Sequence, residues 1–354
     1  MDLRLMLTTA VCLSTIPVAS YTIYNHKINN DITFENYLVA SYSNNKIEDK
    51  TIIDNNFKEE LNNNIYIQEV ENVEEIEVEE NVEEPKKVNI SMNFAGDCTL
   101  GSDSNFGYKN TFFEVADNNT YDYFFSNMQS LFANDDLTVV NLEGTFTDYM
   151  VKTPKSFNFR APTDYANIIL SGDIEAVNIA NNHTKDYGEQ GYNDTIETLN
   201  NYNIPFFGYD NYYIYEKDGI KIGFAGLTSI SDGTIYNRID EAINYFKSNN
   251  CNSMIFTFHW GIERSYIHNS AQENVAHYVI DNGGDLVIGH HPHVIQDIEE
   301  YKGKYIVYSL ANFCFGGNTN PSDKDTFVFH IDFEYENGEL INTTSKIHPA
   351  SVSS

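Results

Sequence analysis

A series of short apolar runs constrains the fold of this chain more than any other feature of its sequence. Most of these runs are rich in β-branched or aromatic residues and end directly before a polar residue. Apolar runs of this length are typical of strands that are buried on both faces. They predict a sheet-based domain that begins at Val88. The runs are VNISMNF (88–94), LTVVNL (137–142), EAVNIA (175–180), IKIGFAGL (220–227), SMIFTF (253–258), LVI (286–288) and YIVYSL (305–310).

Stretches with helical spacing separate several of these runs. Residues 191–202, 239–246 and 270–282 place apolar side chains three or four positions apart, as one face of a helix requires. Ser270 and Glu273 have the spacing of a capping box, which predicts a helix that starts at Ser270. Strands that alternate with helices predict a layered α/β fold. Farther along the chain, the dipeptide Asn337-Gly338 predicts a tight hairpin.

Polar residues with metal-binding chemistry follow five of the runs. Sites in open α/β sheets form outside the carboxyl ends of the strands, so these residues are expected to meet at one rim. Each of them alone has a simpler interpretation, such as a helix cap, a turn or a packed aromatic pair. Together, the carboxylate, amide and imidazole groups suit one or two divalent ions such as Mn²⁺, Fe²⁺ or Zn²⁺. The residues are Asp97, Glu143, Asn182 with His183, His259, and the histidines of 290–293.

The first 87 residues have a different character. Arg4 precedes an apolar run over residues 5–20, which is short for a membrane span and has the form of a signal-peptide core. We interpret residues 1–24 as a signal peptide or an N-terminal membrane anchor. Residues 25–87 are rich in Asn, Glu, Asp and Lys and predict a flexible acidic linker. The domain 88–354 is therefore expected outside the cytoplasm, associated with the cell membrane through its N-terminus.

The charge of the chain excludes one class of partner. The sequence has 52 acidic and 21 basic side chains, for a formal net charge of −31. Proteins that bind nucleic acid contact phosphates through clustered lysine and arginine side chains. This sequence contains no basic stripe, so we expect no nucleic-acid partner. Its residues give no indication of an oligomeric state.

Seven segments, in order, resemble the CapA/PgsA family of capsule and poly-γ-glutamate biosynthesis proteins, which belongs to the calcineurin-like metallophosphoesterase superfamily. The resemblance runs from Val88 to about Phe315 and implies a four-layer αββα sandwich with a dinuclear metal centre. The segments are FAGDCTLG, VVNLEGTFTD, FNFRAP, VNIANNHTKDYGEQG, FHWGIE, IGHHPHVIQ and YSLANF.

The resemblance also implies a role for each site residue. Asp97 would bind a first ion, Glu143 would bridge two ions, and Asn182 would bind the second. His259, His291 and His293 would complete the two ligand sets, with His290 as a neighbour only. His183 would donate a proton to the leaving oxygen, and Asp186 could orient it. Arg160 could grip an anionic substrate, although a structural ion pair is an equal alternative.

Two departures from the superfamily pattern affect the metal site. Many members begin with Asp-x-His, whereas this chain has Asp97-Cys98-Thr99 and lacks that imidazole. The usual Gly-Asp of the second motif is replaced by Leu142-Glu143. The resemblance therefore implies occupancy by two ions less firmly here than in the ordinary phosphatases of the superfamily.

The expected function follows from the chemistry and the resemblance together. We expect a metal-dependent hydrolase-type site in a cell-surface protein that helps to synthesise, anchor or release an anionic capsule polymer, namely poly-γ-glutamate. Expected partners are that polymer and the membrane subunits of a synthase, because a hydrolase site does not itself make a peptide polymer. Two alternatives stay open: a non-catalytic scaffold that binds the polymer, and a phosphoesterase or amidase that acts on another cell-envelope substrate.

Overall fold

The computed structural model describes residues 21–25, 36–40, 85–228, 230 and 233–352. The chain divides into two compact units, residues 1–80 and 81–354. In the first unit, strands β1 (Tyr21–Asn25) and β2 (Asn36–Ala40) pair antiparallel. Residues 1–20 of the predicted export segment and most of the predicted linker lie outside the described residues. Among the helices that are described, none has the length and apolarity needed to cross a membrane.

The second unit is built on two large mixed sheets. In the first sheet the order is β18-β17-β3-β5-β8-β9, with β16 also paired to β3. Strands β3, β5, β8 and β9 are parallel, and β17 is antiparallel to β3. The bounds are β3 Lys87–Thr99, β5 Leu137–Leu142, β8 Ala176–Asn178, β9 Phe206–Phe207, β16 Asn312–Phe315, β17 Asp325–Glu336 and β18 Glu339–Ser351.

The second large sheet has the order β10-β11-β12-β13-β15-β14. Its four central strands are parallel, and an antiparallel strand closes each edge. Their bounds are β10 Tyr213–Lys217, β11 Ile220–Thr228, β12 Ser253–His259, β13 Leu286–His290, β14 Ile298–Tyr301 and β15 Lys304–Val307. A small third sheet joins β4 (Ser102–Asp103), β7 (Phe159–Ala161) and β6 (Thr145–Phe146).

Six α-helices accompany the sheets in the described part of the chain. They are α1 Phe112–Asn118, α2 Gln129–Phe132, α3 Ala166–Ser171, α4 Gly188–Asn201, α5 Ile235–Ser248 and α6 Ser270–Asp281. Short 3-10 helices lie at Ser104–Phe106, Tyr121–Phe125 and Thr163–Tyr165.

Three buried apolar clusters define the layers. The first lies between the two large sheets and includes Phe94 of β3 and Ile222 of β11. The second joins the other face of the first sheet to α1–α4, and the third joins the other face of the second sheet to α5 and α6. Burial on both faces explains why the strands carry continuous apolar runs instead of an alternating pattern. The α/β class predicted from the sequence is confirmed.

The local signals are confirmed, with one correction. The hairpin turn falls at Asn337 (φ 53°) and Gly338 (φ 88°), two residues that tolerate positive φ. Helix α6, however, is capped by Asn269 and not by Ser270. The Asn269 side chain accepts from the backbone N–H of Gln272, and the Gln272 side chain accepts from the backbone N–H of Asn269. The predicted capping box is wrong by one residue because Asn269 (φ −107°, ψ 165°) is the last extended residue.

Candidate metal centre

Two neighbouring strands of the first sheet bring Asp97 and Glu143 together. Strands β3 and β5 are parallel, and Asp97 pairs in register with Asn141, two residues before Glu143. The backbone N–H of Asp97 donates to the carbonyl of Ala311 at 2.9 Å, and that of Glu143 donates to the carbonyl of Cys98 at 2.9 Å. Both carboxylates are completely buried. The sheet therefore fixes two carboxylate groups in its interior, at the carboxyl ends of its strands.

A turn after β8 adds Asn182 and His183 to the same region. The Asn181 side chain holds this turn, since its amide donates to the carbonyl of Leu142 at 2.8 Å and its oxygen accepts from the His183 N–H at 3.0 Å. Asn181 is buried and Asn182 is exposed. The Asn181 amide thus holds the loop in place, whereas the Asn182 amide faces the cluster of histidines.

The second sheet contributes the remaining histidines. His259 and His290 end β12 and β13, where they pair in register. Beyond β13 the backbone takes positive φ at His291 (96°) and His293 (58°), on either side of Pro292. Positive φ is costly for residues with a Cβ and occurs mainly where surrounding structure enforces it. Because of this strained turn, His291 and His293 face the carboxylates of the first sheet.

One group of candidate ligand atoms converges on His259. Its Nε2 lies 2.7 Å from Asn182 Oδ1, 2.9 Å from His291 Nδ1 and 3.5 Å from Glu143 Oε1. A second group surrounds His293, whose Nδ1 lies 3.2 Å from Asp97 Oδ2 and whose Nε2 lies 3.9 Å from Glu143 Oε1. Glu143 belongs to both groups. Ligand atoms of Glu143, His291 and His293 all lie within 4.8 Å of one another.

Glu143 provides the test of whether a cation fits. Within the described part of the chain, neither of its carboxylate oxygens has a hydrogen-bond partner, and both are buried. A buried carboxylate without a partner is costly and rare. Burial, and then the charge of Asp97, raise the pKa of Glu143 well above its usual value. A divalent ion would satisfy both oxygens, so the residues present fit a metal.

The neighbouring pKa shifts show how strongly these groups interact. Burial alone would raise the pKa of Asp97, but the hydrogen bond and charge of His293 bring it below its usual value. Burial would lower the pKa of His293, yet the charge of Glu143 and the contact with Asp97 raise it to about 10. Burial and the charge of His291 lower the pKa of His259 well below its usual value. These shifts describe a compact set of mutually dependent acids and bases, as a ligand cluster should be.

His183 and Asp186 form a buried pair beside the cluster. His183 Nδ1 lies 2.7 Å from Asp186 Oδ2, and its Nε2 faces Glu143 Oε1 at 4.0 Å. The Phe159 ring packs on the imidazole with a centroid distance of 4.2 Å. Burial lowers the pKa of His183, although the hydrogen bond to Asp186 acts in the opposite direction. One nitrogen of His183 is thus occupied by a carboxylate, and the other is turned towards the candidate ligands.

Arg160 and His290, which the sequence analysis also considered, lie at the edge of the cluster. The Arg160 guanidinium donates to the carbonyl of Thr147 at 2.8 Å and lies 4.0 Å from Asp148 Oδ1, in the loop after β6. His290 is buried, with Nδ1 3.6 Å from Asp97 Oδ1. Burial lowers the pKa of His290 to about 4. The structure brings together the six candidate metal ligands, His183 and Asp186. The ligand roles of those six residues and the substrate role of Arg160 stay predictions.

Two buried amides in the site, those of Asn141 and Asn312, were not predicted from the sequence. The Asn141 side chain donates to Asp97 Oδ1 at 2.7 Å, approaches His259 Nδ1 at 3.3 Å, and accepts from Asn178 at 2.9 Å. Asn312 Oδ1 lies 2.9 Å from His293 Nδ1. The sequence feature that could have predicted them is an asparagine inside an apolar strand, as in LTVVNL. A buried amide needs partners for its donors and acceptors, so such an asparagine indicates a polar neighbour.

Comparison with known proteins places this chain in a family. The chain is 25% identical over 272 residues to the capsule biosynthesis protein CapA of Bacillus anthracis, covering 68% of this chain and 64% of that protein. It is 27% identical over 291 residues to the PGA biosynthesis protein CapA of Bacillus subtilis (strain 168), covering 74% and 73%. The chain therefore spans slightly less than two thirds of the first relative and more of the second.

A solved structure and a family description complete the comparison. The structure, a novel phosphatase of Mycoplasma pneumoniae, is 13% identical and covers 75% of this chain and 96% of that one. Its TM-score to this chain is 0.45. The family described as bacterial capsule synthesis protein PGA_cap matches residues 91–317, more than half of the chain and all the candidate metal ligands. The chain belongs to the PGA_cap family of bacterial capsule synthesis proteins.

Proposed function

We propose that this protein acts at the cell surface in the synthesis, anchoring or release of poly-γ-glutamate, and that it uses a metal-dependent hydrolase-type centre. The capsule role is supported by the two Bacillus relatives, a capsule biosynthesis protein and a PGA biosynthesis protein. The observation that carries the metal centre is Glu143, a buried carboxylate without a hydrogen-bond partner in the described part of the chain, with imidazoles from the second sheet around it.

The residues divide naturally into two ligand sets that share Glu143. Asp97 and His293 with Glu143 would hold one ion, and Asn182, His259 and His291 with Glu143 would hold another. This oxygen- and nitrogen-rich, thiolate-free set suits Mn²⁺, Fe²⁺ or Zn²⁺. When bound, such ions supply Lewis-acid stabilisation of charge on a substrate oxygen and lower the pKa of water. The two packed sheets flanked by helices agree with the metallophosphoesterase-like architecture that we propose for the domain.

The protein's own residues would handle the proton. The His183 pair with Asp186 fixes the orientation of the imidazole through Nδ1, and leaves Nε2 directed towards the centre. In this position Nε2 can hold a proton and deliver it to a leaving oxygen. The Phe159 ring covers one face of the imidazole and limits access of water to it.

The proposed partners follow from energetics and charge. The hydrolysis that this site would catalyse cannot drive the formation of a peptide polymer. Synthesis therefore requires ATP-driven subunits, which we place in the membrane. An anionic polymer would be repelled by most of a chain with a net charge of −31. Its contact with this protein is therefore expected at the proposed metal centre, where bound cations would reverse the sign of the local charge.

Metal analysis and hydrolysis test the centre. We expect the purified full-length protein to contain Mn, Fe or Zn and to hydrolyse an aryl phosphate when Mn²⁺ is added. His183→Ala should keep its metal and lose about 100-fold in rate, because a positioned proton donor contributes on this scale. His348→Ala, on β18, is the control and should match the wild type. A protein with no metal and no His183-dependent turnover would refute the hydrolase centre, and polymer binding that survives His183→Ala would then favour a scaffold.

Deletion of the gene tests the capsule role separately. We expect the cells to lose surface poly-γ-glutamate, measured with antibody or by hydrolysis and glutamate analysis, and to regain it on complementation. Complementation with the His183→Ala protein separates the two parts of the proposal, since recovery of polymer would assign the role to binding. An unchanged surface after deletion would count decisively against the capsule role.

A further inference from the structure

Lys155 is a charged group at the centre that neither the ligand sets nor the proton-donor pair uses. Its ammonium donates to Asp186 Oδ1 at 2.6 Å and to the backbone carbonyl of Asn182 at 2.9 Å, and it lies 3.3 Å from His183 Nδ1. It therefore touches three residues of one turn: a candidate metal ligand, the proton donor and the carboxylate that orients the donor.

The Asp186 carboxylate has two distinct sides. Oδ2 accepts from the backbone N–H of Phe159 at 2.5 Å and faces His183 at 2.7 Å, whereas Oδ1 accepts from Lys155. The Asp186 side chain has no solvent exposure, and the Lys155 side chain is 31% exposed. Without Lys155, one oxygen of a buried carboxylate would lose its charged partner, which is a costly loss.

The segment that carries Lys155 is itself fastened to the same turn. The backbone carbonyl of Asp186 accepts from the Thr153 N–H at 2.8 Å, from the Thr153 hydroxyl at 3.1 Å and from the Asn158 amide at 3.1 Å. Residues 153–159 therefore wrap around Asp186, and Lys155 inserts its ammonium between Asp186 and the carbonyl of Asn182. The charge of the ammonium is matched to two oxygens that belong to opposite ends of one five-residue turn.

We propose that Lys155 is a positioning residue for the proton donor. By holding Asp186 and the carbonyl of Asn182 at once, it keeps the turn closed and so keeps His183 Nε2 directed at the metal centre. The inference rests on the proposed role of His183. Lys155 acts through that turn and makes no contact with substrate in this scheme.

Lys152 offers a matched control on the same segment. Its side chain is 33% exposed, and its ammonium lies 3.6 Å from the buried Asp103 Oδ1, near Ser104 and Asn105. It is therefore a lysine of the same exposure, paired with a buried aspartate, that does not touch the turn of Asn182 to Asp186. Lys155→Met and Lys152→Met remove equivalent charges and keep the aliphatic stems.

The decisive measurement is amide hydrogen exchange over residues 182–187 in the full-length proteins. We expect Lys155→Met to raise exchange there about tenfold, since the turn loses contacts that keep it closed, and Lys152→Met to leave it unchanged. Lys155→Arg should restore protection, because a guanidinium can donate to both oxygens. In the aryl phosphate assay, Lys155→Met should retain metal and KM but lose about tenfold in kcat, as expected for a misaligned donor.

Each outcome decides the inference. Equal exchange in Lys155→Met and Lys152→Met overturns it, as does loss of metal or failure of Lys155→Arg to restore protection. If Lys155→Met does not fold, the comparison of Lys155→Arg with the wild type decides, and exchange above wild type in the arginine variant overturns it. If the wild type hydrolyses nothing, the proposed hydrolase function fails, while the exchange comparison still shows whether Lys155 holds the turn.

Discussion

At the scale of single residues, the site is built from groups that would be unfavourable elsewhere. Glu143 is a buried carboxylate whose oxygens find no hydrogen-bond donor among the described residues, and His291 and His293 hold positive φ. Such costs persist only where the surrounding structure enforces them, and they concentrate at functional sites. That all three meet within one cluster is the reason to assign the cluster a ligand.

Replacing Glu143 with glutamine tests this assignment. We expect Glu143→Gln to unfold at the same or a higher temperature than the wild type without metal, because a neutral amide of the same shape is less costly to bury. With Mn²⁺ at 100 times its Kd the wild type should gain about 2.7 kcal/mol, and the variant much less. Thermal unfolding with and without Mn²⁺ measures both. The exposed Glu197→Gln is the control, and an equal metal effect in Glu143→Gln would contradict the assignment.

At the scale of elements, the sequence locates the ends of strands more accurately than the capping residues of helices. Strands β3, β5, β12 and β13 place their polar residues at or near their carboxyl ends, as the sequence predicted, because apolar packing gives way there to a buried polar cluster. The capping residue of α6 was placed one residue too late, since Ser270 and Asn269 are both good capping residues, although the helix itself begins at Ser270 as predicted. Sequence spacing alone did not decide which of two adjacent residues stays extended.

Two substitutions distinguish the capping residues. Asn269→Ala should lower the free energy of unfolding by about 1 kcal/mol, because its side chain accepts from the backbone N–H groups of Ala271 and Gln272. Ser270→Ala, at the first helical position, should change it far less. Urea denaturation of both variants provides the measurement. A larger loss for Ser270→Ala would show that Ser270 is the capping residue, as the sequence suggested.

At the scale of the whole molecule, the site belongs to both large sheets. Asp97 and Glu143 come from the first sheet and His259 from the second, and the cluster between the sheets packs them together. Of the residues that the structure describes, all those in the three apolar clusters lie at or beyond Val88. The domain should therefore fold, and hold its metal, without the residues that precede it.

Truncation from either end tests this organisation. A chain of residues 85–354 should keep the unfolding temperature and metal content of the full-length protein. A chain that ends at residue 323 should fail to unfold cooperatively, because β17 contributes Phe327, Phe329 and Ile331 to the core between the sheets. Calorimetry and metal analysis compare the two. A destabilised 85–354 chain would mean that the preceding residues are part of the domain.

The sequence by itself determined the α/β class, the position of most strands, and the apolar runs that are followed by Asp97, Glu143, Asn182, His183, His259, His291 and His293. These are local properties, since hydrophobic period and a polar residue after an apolar run are readable within a few positions. Only the tertiary structure decided which oxygen meets which nitrogen. The bonds of Asn141 to Asp97 and of Lys155 to Asp186 span 44 and 31 positions, and no local pattern encodes them. They arise from packing two sheets and a loop around one buried cluster, where each polar group must find its partner or a metal.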